Sequence, residues 1–226
     1  MTAPIYLRQL EIGPMQNYVY LVGDPETREA AVVDAAWDID AILDIAAKDD
    51  MRITKAFVTH FHPDHLGGRF GGMTIAGATD LIAKVPVKVY IHKQEAGFVH
   101  RVSDLSDSDL IPVEGGDTVS VGAVPVKFVH TPGHTPGSQC FLAGDNLISG
   151  DTLFIGSCGR SDLPGSNPAD LYHSLNHTLR NFPDETIVYP GHNYADRPTS
   201  TIGTEKRRNM TMRFESVEEF LRFMGR

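Results

Sequence analysis

The stretch Thr59-His60-Phe61-His62-Pro63-Asp64-His65 puts three imidazoles and a carboxylate into six residues, and few folds tolerate that crowding. Side chains packed so closely repel one another and resist desolvation unless a cation sits among them. A divalent metal meets that need, whereas the competing reading of surface or core histidines suits a lone imidazole better than three. Just upstream, Ile53, Ala56, Phe57 and Val58 form a β-branched and aromatic run, so the cluster is expected where a buried strand ends. Strand ends are where α/β folds put their sites. Pro63 biases His62 away from the helical region and Asp64 then opens a short helix, which fans the four side chains around a point.

A length of 226 residues suits one α/β domain with a substantial core, and 1–226 is read as that single domain. The formal net charge of -9 argues against nucleic-acid binding, which depends on Lys and Arg neutralising phosphates. No basic-then-apolar segment opens the chain and no apolar run reaches membrane-spanning length, so a cytoplasmic protein without membrane contact is expected. Cys140 and Cys158 are too few for a disulfide framework, and Cys140, in an apolar strand, reads as a small core residue.

Residues 5–12 and 18–23 read as strands about a Gly13-Pro14 turn, and 29–34 as a third. Asp38 caps a helix with Ile39, Ile42, Leu43 and Ala46 at helical spacing, which leads into the strand that delivers the histidine cluster. Asn17 and Asp34 read equally well as a turn residue and a strand-end cap, and stay outside the expected site. Residues 66–85 are Gly-rich and read as a loop plus a short helix that either lines an entrance or merely connects. His92 and His100 lack ligand-like spacing.

A second half starts like the first. Residues 118–121 and 124–129 form a hairpin or meander that ends in Thr131-Pro132-Gly133-His134, with His134 the stronger ligand candidate and His130 the weaker. Strands over 138–142 and 146–149 follow, and the latter delivers Gly150-Asp151, where Asp151 is either a helix cap or a ligand. Arg160 either pairs with Asp162 or faces an anionic substrate. Asn167-Pro168 starts a helix with the stripe Leu171, Leu175, Leu179 and Phe182, and the last strand, 186–189, runs into Pro190-Gly191-His192-Asn193-Tyr194. A terminal helix carries Val217, Phe220, Leu221 and Met224 on one face.

Four strand ends thus offer His60, His62, Asp64 and His65 together, then His134, Asp151 and His192. Seven ligands suit two ions about 3.5–4 Å apart and bridged by a carboxylate and a water. His60, His62 and His134 are assigned to the first ion, Asp64, His65 and His192 to the second, and Asp151 to the bridge. Imidazole and carboxylate without thiolate fits two Zn²⁺, and iron or manganese would be accepted. Such a pair activates its bridging water as a hydroxide for attack on an electrophilic carbonyl or phosphoryl centre, with Asp64 to orient it.

His60-Phe61-His62-Pro63-Asp64-His65, followed in order by Thr131-Pro132-Gly133-His134, Gly150-Asp151 and Pro190-Gly191-His192, resembles the metallo-β-lactamase superfamily over nearly the whole chain. The resemblance implies a four-layer αββα sandwich with a dinuclear site at one edge between two sheets. Within the superfamily, the order of elements and Asp151 are similar to the glyoxalase II-like branch, which implies a metal-dependent hydrolase acting on a thioester such as a hydroxyacyl-glutathione. Only 34 residues follow His192, so the helical glutathione-binding domain of authentic glyoxalase II is expected to be absent. The sequence is also similar to stand-alone hydrolases found with polyketide biosynthesis, which implies a carrier-bound acyl thioester. Arg160 and Tyr194 are the expected substrate contacts, and the oligomeric state is not legible.

Cys158-Gly159-Arg160-Ser161-Asp162, Tyr194 and Ser200-Thr201-Ile202-Gly203 resemble persulfide dioxygenases. That resemblance implies one Fe²⁺ held by His60, His134 and Asp151. Leu163-Pro164 and the long segment between His65 and His134 depart from that pattern and favour hydrolysis. A metal-stabilised binding protein with a vestigial site is a third reading, and a nuclease is disfavoured by the acidic balance.

Overall fold

The computed structural model describes residues 4–225. The expected domain, 1–226, is therefore covered except for 1–3 and 226, which lie outside the described residues. The first half supplies β1 (Tyr6–Ile12), β2 (Asn17–Asp24), β3 (Glu29–Val33), β4 (Arg52–Phe57), β5 (Gly68–Phe70), β6 (Met73–Ile75), β7 (Val89–His92) and β8 (Leu110–Val113). The second supplies β9 (Thr118–Val121), β10 (Val124–His130), β11 (Gln139–Ala143), β12 (Asn146–Gly150), β13 (Leu153–Phe154), β14 (Ser157–Cys158), β15 (Ile187–Pro190) and β16 (Ser200–Thr201). Between them run the helices α1 (Ile39–Lys48), α2 (Pro63–Leu66), α3 (Ala78–Lys84), α4 (Ala96–Val102), α5 (Pro168–His173), α6 (Ile202–Arg208) and α7 (Val217–Phe223).

Two six-stranded sheets result, in the orders β1-β2-β3-β4-β7-β8 and β16-β15-β12-β11-β10-β9. Strand β2 explains why they stack. It is buried along its whole length, and because successive side chains point to opposite faces, its two apolar sets serve two different cores. Tyr18, Tyr20 and Val22 face Phe128, Phe141 and Ile148 of the opposite sheet, whereas Val19 and Leu21 pack outward with Ile39, Ile42 and Leu81 of α1 and α3. The second sheet repeats the arrangement, with Cys140 and Leu147 packed outward on Leu171 of α5 and Phe220 of α7. The expected αββα sandwich follows from this alternation, and Cys140 is the buried core residue it was read as. No helix among the described residues is long and apolar enough to cross a membrane.

Local chemistry sets several boundaries. Asp38 caps α1 by accepting from Ala41 N–H at 2.9 Å, and Asn167 caps α5, accepting from the N–H groups of Ala169 and Asp170. The stripe Leu171, Leu175 and Leu179 is buried as expected, but α5 stops at His173 and continues as a π-turn over Ser174–Thr178 and a 3₁₀ turn over Leu179–Asn181. A strict four-residue repeat drifts by about 40° with each repeat on an α-helix. The wider π-turn is a local geometry that keeps such a repeat on one face. Three other elements depart from the sequence reading. Residues 68–75 form the β5–β6 hairpin where a loop was expected, turning at Gly71 and Gly72, which both have positive φ. β8 joins β7 in parallel although its short Leu-Ile-Pro-Val run gave no clear signal. Residues 200–208, for which the sequence reading offered no element, become β16 and α6, where Thr201 Oγ1 accepts from Thr204 N–H at 3.2 Å.

At the sheet ends, His92 of β7 stacks on His130 of β10 with ring centroids 4.0 Å apart and planes at 11°, and His130 Nε2 lies 3.0 Å from the Pro136 carbonyl. Both rings are spent on joining the sheets. Burial, then His130 and Lys93, push the His92 pKa down from 6.5 to about 4, against weaker pulls from Glu114 and Asp117. Between those pH values the unfolded chain binds a proton here that the folded chain does not, so the stability is present at neutral pH and is lost as pH falls through the window. His92→Phe is expected to flatten the drop in Tm between about pH 7 and about pH 4. Equal slopes for the two chains would rule the assignment out.

Candidate metal centre

All seven side chains picked out as ligands reach one edge of the sandwich. His60, His62, Asp64 and His65 lie in the loop after β4 and in α2, His134 follows β10, Asp151 directly follows β12, and His192 follows β15. The last is carried back to the first sheet by a bridge between Asn17 and His192, with Tyr18 N–H donating to Gly191 O and Asn193 N–H to Gln16 O, each at 2.8 Å. Two glycines make room around Asp151. A Cβ on Gly191 would lie 2.3 Å from Asp151 Oδ1, and Gly150, at φ +49°, would drive a side chain into Thr59 at 2.7 Å.

The outward nitrogens of four imidazoles are already committed. His65 Nδ1 lies 2.9 Å from Asp34 Oδ2, His134 Nδ1 is 2.7 Å from the Arg160 carbonyl, and His192 Nδ1 is 2.9 Å from the Met15 carbonyl. These partners are pure acceptors, so each of those nitrogens carries the proton. Thr59 Oγ1 donates to Asp34 and therefore accepts from His60 Nδ1 at 3.0 Å. The inward nitrogens are left with lone pairs, and they converge. His62 Nδ1 is 3.0 Å from both His60 Nε2 and His134 Nε2, and His65 Nε2 is 3.2 Å from His192 Nε2. Asp151 Oδ1 is buried without a hydrogen-bond partner. No single proton on His62 Nδ1 or His65 Nε2 satisfies all of these inward nitrogens together with the buried Asp151 oxygen, and a cation among them does. Three sets of donor atoms converge within 4.8 Å: His60, His62 and His134; His60, His65 and Asp151; and Asp64, His65 and His192. The set His60, His134 and Asp151 is not among them, although His134 Nε2 lies 3.6 Å from Asp151 Oδ2.

The electrostatics point the same way. Burial and the surrounding imidazoles hold His60 well below its usual pKa, and burial with His134 brings His62 to about 4, so neither is charged at neutral pH. Burial also opposes charge on His65, yet Asp151 and Asp64 overcome it and raise its pKa well above normal. Burial likewise opposes ionisation of Asp64, and His65 with the Asn17 hydrogen bond still holds it far below the ordinary carboxylate range. Asp151 is brought to about 2 against its burial by His65 and His192. The raised His65 marks a potential that favours positive charge, which a bound cation would supply in place of that proton, while neutral His60 and His62 and ionised Asp64 and Asp151 are already in their metal-binding protonation states.

Two residues left out of the sequence reading hold this arrangement. Asp34 accepts from Thr59 N–H and Thr59 O–H, each at 2.7 Å, besides facing His65, so one carboxylate sets the tautomers of both His60 and His65. It does so from the left-handed region, at φ +57°, which Asp tolerates better than most residues. Asn17 Nδ2 donates to the backbone and to Oδ2 of Asp64, each at 3.0 Å, while Trp37 Nε1–H fixes Asn17 from behind at 2.9 Å. The available signal was register: Val33 pairs with Phe57 in parallel strands, so Asp34 lies beside the start of the histidine loop.

Above the cluster lies a cavity of about 320 Å³ with walls from Met15, Phe70, Phe154, Leu163, Pro164 and Tyr194. Tyr194 lies flat on His192, with centroids 4.6 Å apart and planes at 9°. Arg160 also lines the cavity, but its Nε and Nη2 each lie 2.9 Å from the Asp162 carboxylate. Of its two readings from sequence, the pairing is the one present, and the link to the centre runs through its carbonyl on His134.

The sequence pattern of the metallo-beta-lactamase superfamily matches residues 12–192, and the chain belongs to that superfamily. It is 30% identical over 210 residues, 93% of this chain and 88% of the relative, to a Bacillus velezensis protein named probable polyketide biosynthesis zinc-dependent hydrolase BaeB. It is 31% identical over 233 residues to the human mitochondrial persulfide dioxygenase ETHE1, covering 99% of this chain and 82% of that one. With a hydroxyacylglutathione hydrolase of Maricaulis maris it shares 36% identity over 182 residues, 80% of this chain and 63% of the relative.

Asp34→Asn keeps a residue suited to positive φ but replaces one acceptor oxygen by a donor. Zinc affinity measured by chelator competition is expected to fall by about 10–100-fold, the range found when carboxylates behind ligand histidines are altered. Unchanged affinity would mean that Asp34 does not set the ligand tautomers.

Proposed function

We propose that this superfamily member is a two-zinc hydrolase that cleaves a thioester, either a hydroxyacyl-glutathione or an acyl group on a carrier. The observation that carries the proposal is the overlap of the three donor sets. His60 belongs to the first set, His65 belongs to the last, and the middle set joins both to Asp151. A carboxylate that shares a neighbour with each of two separate triads supports reading Asp151 as the bridge. His60, His62 and His134 would hold one ion and Asp64, His65 and His192 the other, with Asp151 between them.

When bound, such a pair supplies a water activated at neutral pH and a Lewis acid for the acyl oxygen and the departing sulfur. The rest falls to the protein. Asp64 stays ionised and Asn17 fixes its Oδ2, so it can accept a hydrogen bond from the attacking water and orient it. Water adds to the acyl carbon, the C–S bond breaks, and a carboxylic acid and a thiol leave. The apolar walls from Phe70, Phe154 and Leu163 hold the acyl part and exclude bulk water. Tyr194 keeps the His192 ring in plane and offers its face to the substrate.

One observation favours a second reading: the alignment with the persulfide dioxygenase takes in 99% of this chain, against 80% for the hydroxyacylglutathione hydrolase. On that reading a single iron at His60, His134 and Asp151 serves oxygen chemistry on a persulfide.

Elemental analysis of protein purified without added metal, followed by a thioester panel and oxygen uptake with a persulfide, separates the two. Two zinc ions per chain with thioester cleavage are expected. One iron per chain with persulfide-dependent oxygen uptake would overturn the hydrolase. Asp151→Ala is expected to lose metal and activity together, and a variant that keeps both ions would sink the bridging assignment.

A further inference from the structure

Glu95 stands between β7 and α4 and has 0% exposure, an unusual place for a carboxyl group. No cation among the described residues offsets it. Burial raises its pKa, and what opposes that shift is hydrogen bonding from Phe61, Thr135 and Gly137, not an ion pair. Phe61 N–H donates to Oε2 at 2.7 Å and Gly137 N–H to Oε1 at 2.6 Å.

The identity of those donors is informative. Phe61 lies between His60 and His62 in the loop from β4, and Gly137 lies in the loop from β10 that carries His134. The three imidazoles of the first donor set therefore sit on two chain segments from different sheets, and Glu95 grips both segments, one with each oxygen. An apolar side chain would fill the same space without the desolvation cost, but it would leave two converging N–H donors unsatisfied. A Gln offers one oxygen and would set an NH₂ donor against the other N–H. Packing is tight as well: a Cβ on Gly137 would lie 2.5 Å from Glu95 Cγ and 2.8 Å from its Oε1.

We propose that Glu95 is a positioning residue that sets the spacing of the His60–His62 loop against His134, and with it the affinity of the first metal position. The Asp64–His65–His192 position, held by Asp34, Asn17 and the Met15 carbonyl, does not depend on it. The inference rests on the two-ion reading above.

The test compares the unchanged chain with Glu95→Gln and Gly137→Ala, each stripped of metal and then titrated with zinc against a chromophoric chelator and with cobalt followed by its visible absorption. Gly137→Ala keeps the carboxylate and displaces it, so it carries the test if Glu95→Gln does not fold. In both variants one of two affinities is expected to fall at least about tenfold, with a changed cobalt spectrum for that ion, while the other affinity stays as it was. Two unchanged affinities, or two that fall together, would overturn the proposal. If the unchanged chain binds one ion only, the two-ion reading fails by itself, and the proposal then stands or falls on whether Glu95→Gln weakens that ion tenfold.

Discussion

The mutual approach of imidazole lone pairs is the constraint on which the rest of this structure depends. Histidines are easily accommodated singly, but here four rings have their outer nitrogens committed, and their inner nitrogens meet another imidazole nitrogen within 3.0–3.2 Å, those of His60 and His134 at His62 and that of His65 at His192. Each outer partner comes from a different part of the fold: a carboxylate after β3, a carbonyl before β2, a carbonyl in the loop after β14. The arrangement is stable only if the whole edge of the sandwich is built to hold it. Much of the unusual local geometry, such as Gly150, Gly191 and the left-handed Asp34, is found there and not in the body of the sheets.

The body of the sheets obeys simpler rules. Alternation in β2 and β10 divides apolar residues between an inner core and two outer ones, and capping at Asp38 and Asn167 fixes where helices begin. These features are local, and the sequence shows them plainly. The seven clustered side chains were legible for a related reason: each group of them sits where a buried apolar run stops at a turn. What the sequence did not show is cooperative or long-range. Asp34 matters because parallel pairing with β4 sets it beside Thr59, and Asn17 because a bridge to His192 closes the edge. The β5–β6 hairpin has three-residue strands, too short for a period-two signal to rise above its glycines.

Arg160 shows the limit of reading a residue by its side chain. A guanidinium next to a cavity suggests anion recognition, and Arg160 lines the cavity while pairing with Asp162, but its contact with the centre itself is made by the Arg160 carbonyl. No residue-type argument finds a backbone acceptor of this kind.

The donors are unevenly spread along the chain, and this affects folding as well as chemistry. Four of the seven lie between His60 and His65, while His134, Asp151 and His192 join only when the second sheet has docked. The unfolded polypeptide therefore keeps a short peptide chelator intact. An ion bound to it stabilises the native state only by the difference between native and denatured affinities, which comes from the three distant residues and from the groups, such as Asp34 and Asn17, that hold the local four in place. In this protein a metal ion captured early does not by itself pull the chain into shape; it is a passenger on one loop until the two halves meet.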